Sequence, residues 1–184
     1  MKRNTYIPLG ALVLVFAIAP AFAETRIENP ASHPVVSQHL KDFKAAAFQL
    51  RKEASTVKSY IPGNRMSQQS HYFRLGNLRD QVNDLGKKLA QIEQLHPVSG
   101  DTQQLAMENA RPHLAAVAQN LTDAIQLYNE NRNNVNFTDY AEAIRNVYDH
   151  SDSLYEKVDT LLDYESAKAR VESLDLETES GEGS

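Results

Sequence analysis

Four stretches of apolar residues, spaced by alternating fours and threes and joined by short breaks rich in proline, glycine or asparagine, predict an all-α chain. The arrangement expected is an antiparallel up-down-up-down four-helix bundle after a cleaved signal peptide. Four-three spacing sets its members on one stripe of a helix, the seam along which helices pack at about 20°. Stretches of about 40 Å, joined by roughly five to seven residues, make successive helices antiparallel neighbours. A three-helix core with one splayed helix and a dimer that completes the bundle between chains are the rival arrangements.

The chain opens MKRNTYIPLGALVLVFAIAPAFAE. Lys2 and Arg3 precede an apolar run from about Tyr6 to Ala19, and Pro20 and the triplet Ala21, Phe22, Ala23 follow it. This is the pattern of a secretory signal peptide over 1–23, cut after Ala23. The run is shorter than the roughly 20 residues of a spanning helix, and no later segment is apolar enough to cross a bilayer. The mature chain is therefore expected in the periplasm or secreted. Residues 24–34, with two prolines and no period, read as a flexible lead-in. The chain has no cysteine, which excludes disulfides, thiolate metal sites and covalently attached haem. Loss of Lys2 and Arg3 takes the formal net charge from -5 to -7, an argument against nucleic acid and against a basic membrane-binding patch.

The first helix is expected over about 35–61, with Val36, Leu40, Phe43, Ala47, Leu50, Ala54, Val57 and Ile61 on its seam, and Pro62 and Gly63 ending it. The second, about 66–95, carries His71, Leu75, Leu78, Val82, Leu85, Leu89 and Ile92, with Ser67 or Ser70 as the cap. Gly76 and Gly86 flank this seam. A glycine costs about 1 kcal/mol in a helix interior, so both are expected where a neighbouring backbone comes close.

The third helix, about 101–131, has Met107, Ala110, Leu114, Val117, Leu121, Ala124 or Ile125, and Tyr128 on its seam. Asp101 and Gln104 suggest a capping box, and Pro112 a kink near Glu108. Asn136 or Thr138 caps the fourth helix, expected over 138–165 or slightly beyond, on Tyr140, Ile144, Val147, Ser151, Leu154, Val158 and Leu161. A second stripe carries Ala141, Tyr148, Tyr155 and Leu162. The pattern weakens after Tyr164, although ESAKARVESLDLE has the propensity to extend the helix; the bundle is taken to close by 171, and 172–184 is expected to be an acidic disordered tail.

No HExxH, GxSxG, ExxH pair or phosphate-binding glycine loop occurs. Asp149, His150 and Ser151 are consecutive, and consecutive helical residues fan out by about 100°, so they cannot converge as a catalytic triad. No catalytic residue and no cofactor is assigned. The antiparallel order brings His39, His96 and His113 into one half of the bundle as weak metal candidates. His71 is the sharper feature, a titratable ring on an otherwise aliphatic seam. It starts the second helix, beside the end of the third and the start of the fourth, so a tyrosine, Tyr128 or Tyr140, is expected within about 4.5 Å of it. Those residues, with Tyr148 and Tyr155, are the candidate ligand or partner contacts.

Across the second and third helices, His71 with Leu75 and Leu78, "QVNDLGKKL" at 81–89, "QQLAMENARPHL" at 103–114 and "DAIQLYNEN" at 123–131 resemble a group of uncharacterised exported helical proteins of acidobacteria-like soil bacteria. That group has an aromatic-x-x-histidine pattern, and this chain has Gln68 at the aromatic position. The resemblance implies a helical fold and export, and no particular activity. The functional expectation is a non-enzymatic bundle that binds an envelope protein or a second copy of itself. The alternative is a small-ligand or metal-binding periplasmic bundle using histidines at one end.

Overall fold

The computed structural model describes residues 33–61, 67–131 and 138–181. The expected signal peptide and most of the expected lead-in, the expected Pro62–Gly63 stop and the candidate Asn136 cap lie outside the described residues. The helices are α1 (Pro34–Tyr60), α2 (Gln68–Glu93), α3 (Asp101–Glu130) and α4 (Thr138–Gly181). A single 3₁₀ turn, His96–Val98, joins α2 to α3.

The expected seams form the core. Val36 through Val57 on α1 and His71 through Ile92 on α2 are buried at every four-three position. On α4, Leu162 is buried and Leu161 only half-buried, so the inner stripe drifts by one position at its end. α3 packs most extensively on α4, and both helices carry buried alanines, Ala106, Ala110, Ala118 and Ala124 on α3 and Ala141 and Ala143 on α4. Small side chains let two backbones approach. α1 packs on α4 and α2, and the ring closes through α2 and α3. α1 with α3, and α2 with α4, lie across the diagonals and barely meet. The bundle thus closes within one chain, with no splayed helix.

Charge sets the α1–α4 pairing. Lys44, Arg51 and Lys58 recur at heptad spacing along α1 and pair with Asp159, Asp152 and Asp149 on α4. Arg74 holds Glu53 through both carboxylate oxygens at 3.0 Å, joining α2 to α1. Each part-exposed pair contributes little alone, but a ladder in one register disfavours a shifted or parallel one.

Some local expectations are met and others are corrected. Ser67 is the cap of α2, its hydroxyl accepting from the Ser70 N–H at 3.1 Å. Gly100, not Asp101, caps α3, and Gln103 rather than Gln104 reaches back to it. α3 continues through Pro112, as expected, and because Pro112 is exposed the carbonyl that loses its partner sits on the solvent side. α4 continues to Gly181, past the expected limit of 165 or slightly beyond and into the stretch expected to be disordered. Alanine, lysine, arginine, glutamate and leucine dominate 165–177, no proline or glycine intervenes before Gly181, and Lys168 pairs with Glu172 one turn on. Propensity carries the helix where the apolar pattern has faded.

Gly76 is also not at a close helix contact. A Cβ added there meets nothing within 4 Å, and the space beside it opens into a notch of about 190 Å³ lined by Tyr72, Phe73, Asn77 and Asp80. Gly76→Ala is therefore expected to raise the unfolding free energy by about 1 kcal/mol, read as a higher denaturant midpoint with an unchanged slope.

Candidate functional site

His71 lies in the first turn of α2 and is 1 % exposed. Its Nδ1 is 3.1 Å from the Tyr140 hydroxyl, and Tyr140, in the first turn of α4, is fully buried. The expected tyrosine contact is therefore present. The rings meet edge to face, with centroids 5.8 Å apart at 72°, and Tyr128 at the end of α3 closes the third side at 6.5 Å. The Tyr128 hydroxyl donates to the Gln68 carbonyl at 2.8 Å, tying the end of α3 to the start of α2. Burial holds Tyr140 protonated far above the ordinary phenol range, with Tyr128 adding to the effect. Burial also lowers the pKa of His71. A neutral imidazole accepting from the Tyr140 O–H satisfies both groups without burying a charge.

The opposite end is closed by Gln103, fully buried in the first turn of α3. Its Oε1 accepts from the backbone N–H of Gly100 at 3.1 Å and of His33 at 3.2 Å. Its Nε2 shares two hydrogens among the His33 carbonyl at 3.0 Å, Ser37 Oγ at 2.8 Å and Glu165 Oε1 at 2.9 Å. The Ser37 hydroxyl donates to that same Glu165 oxygen at 2.9 Å. One side chain thus joins the starts of α1 and α3 to α4. Counting back four from Met107 on the seam lands on Gln103, and that count was the signal for a buried polar residue here.

Tyr148 and Tyr155 lie on the α1–α4 flank, away from His71. The Arg51 guanidinium lies over Tyr155 at 4.4 Å and near Phe48 at 5.4 Å, and Lys58 Nζ sits over Tyr148 at 3.9 Å. Beside them is an open cleft of about 470 Å³ lined by Phe48, Arg51, Lys52, Thr56, Tyr148 and Asp152. Arg51 and Lys58, already over ring faces and paired with aspartates, act here as intramolecular ties.

His39, His96 and His113 do not converge, and no group of three or more His, Cys, Asp or Glu that could hold a metal forms among the described residues. His96 is exposed in the 3₁₀ turn and His39 is half-buried on α1. His113 turns instead toward His150 of α4, with ring centroids 5.9 Å apart. Burial lowers its pKa, and the nearby His150 and Lys157 charges lower it further. Comparisons with family models, curated proteins and solved structures return no match.

Two expected outcomes follow from the closed ends. The folded pKa of His71 lies below its unfolded value, so the unfolded chain takes up the proton first. Stability is complete above about 6.5 and declines as pH falls below it, toward the folded pKa. His71→Leu should flatten denaturation midpoints measured from pH 8 to 5, leaving only the share that His113 contributes. Gln103→Leu keeps the volume but strips partners from Gly100, His33 and Glu165. It should cost about 2–3 kcal/mol and speed amide exchange at His33 and Gly100, whereas unchanged exchange there would contradict the assigned role.

Proposed function

We propose that the protein is a binding module of the bacterial envelope, exported through its N-terminal signal peptide and engaging another envelope protein through the end from which α4 projects. Kinship with exported helical proteins belongs to the same proposal. The reading rests on where apolar surface is left uncovered. Among the described residues, Val35, Val98, Leu105, Tyr164, Val171 and Leu174 are exposed at this one end, against Phe48, Tyr60 and Phe73 on the rest of the bundle. A concentration of exposed apolar side chains at one pole is the usual mark of an interaction surface.

The geometry of α4 sharpens it. Glu165 is level with Ser37 near the start of α1, and α4 runs sixteen residues further, roughly 24 Å at the helical rise. Along that projection Tyr164, Ala167, Val171 and Leu174 keep three-four-three spacing, and Val171 and Leu174 are 58 % and 60 % exposed. A half-seam of this kind is completed by a second helix. In sequence the projection is acidic, with Glu165, Glu172, Asp175, Glu177 and Glu179 against Lys168 and Arg170. Charge complementarity therefore selects an amphipathic partner helix with a basic rim.

A photo-crosslinking side chain placed at Val171 or Leu174 of the full exported chain in cells should capture one envelope protein through a basic amphipathic helix. Capture at Leu174 should be lost in Val171→Asp, which leaves the bundle folded because position 171 is exposed. Cross-links to a second copy alone, or none above those from a control at Phe73, would overturn the reading.

A further inference from the structure

We infer that His113 of α3 and His150 of α4 form a two-imidazole site for a divalent transition metal, with Cu²⁺ the ion it takes best. The site is separate from the projecting end of α4 and does not depend on the function proposed for it. The two histidines come from adjacent antiparallel helices, are both half-buried, and set their ring centroids 5.9 Å apart at an interplanar angle of 45°. With metal–nitrogen bonds of about 2 Å, two imidazoles on one tetragonal Cu²⁺ hold their centroids roughly 4.5 Å apart when adjacent and roughly 6.3 Å apart when opposite. The observed centroid separation falls between these values, and a rotamer adjustment would turn a nitrogen of each ring toward a shared ion.

The chemistry of the pair points the same way. Among the described residues neither ring makes a hydrogen bond or ion pair, so each has a ring nitrogen left to offer a Lewis acid. Asn109, one turn before His113, turns its amide onto the Leu105 carbonyl, and Ser153, close after His150, turns its hydroxyl onto the Asp149 carbonyl. Neither donor is spent on the rings. Besides His150 itself, the group that acts on His113 from α4 is Lys157, which opposes a cation, and among the described residues no carboxylate completes the set. Water must therefore fill the remaining coordination positions. Nitrogen ligation with open positions favours Cu²⁺ over Ni²⁺ and Zn²⁺ by the ordinary stability order, and it excludes Mg²⁺ and Ca²⁺, which need oxygen.

The test is titration of the full mature chain with CuCl₂, NiCl₂ and ZnCl₂, followed by calorimetry and, for copper, electron paramagnetic resonance. Saturable binding of one copper per chain, with hyperfine splitting from two imidazole nitrogens, is the expected result. His113→Gln and His150→Gln should each weaken it by about tenfold or more while circular dichroism stays unchanged. Lys157→Gln should tighten it, an effect that adventitious binding elsewhere on the surface would not show. Binding that both histidine variants leave intact, or that vanishes in His39→Gln or His96→Gln instead, would overturn the inference, as would the absence of saturable binding.

Discussion

The bundle depends on what crosses its diagonals. Neighbouring helices hold each other through long apolar seams, but such seams tolerate sliding, because one turn of leucine and alanine looks much like the next. Two hydrogen-bonded crossings remove that freedom. His71 to Tyr140 joins α2 to α4 at one end, and Gln103 to His33 and Ser37 joins α1 to α3 at the other. Each links helices that otherwise barely touch. A slipped register would strand a buried imidazole, phenol or amide without its partner, and that penalty is larger than the gain from any one apolar contact.

Both crossings sit in the first turn of a helix, on the seam, where an aliphatic residue would have been the simple choice. Here a fully apolar end would be exposed to water and a charged one could not be buried. A neutral polar side chain can satisfy itself within the protein while still excluding solvent from the core. The ladder of Lys44, Arg51 and Lys58 against aspartates acts on the same problem from outside, selecting the face on which α1 meets α4.

The periodic part of this architecture is legible from residues alone. Val36 to Val57 and His71 to Ile92 are buried where four-three counting puts them, since one stripe of a helix leaves little choice of face. The tyrosine contact of His71 followed from chain direction alone. Gln103 escaped because a glutamine near a helix start is equally good as a surface cap, and only extending the Met107 seam backwards separates the two roles. The facing of His113 and His150 was not legible, because it depends on how α3 and α4 are rotated about their own axes. The extent of α4 was only half legible: helix propensity over ESAKARVESLDLE allows the extension, but the apolar pattern fades after Tyr164 and does not mark where the helix ends.

The clamp on His33 has a mechanical consequence. Gln103 grips both the N–H and the carbonyl of the residue that leads into α1, while Ser37, one turn on, is held by Glu165. Tension on the leading segment therefore meets these bonds before it reaches the apolar seam of α1. It is shared at once with α3 and α4, loading several bonds in parallel instead of peeling one helix away turn by turn. A chain pulled from its front would resist to a threshold and then give way as a unit.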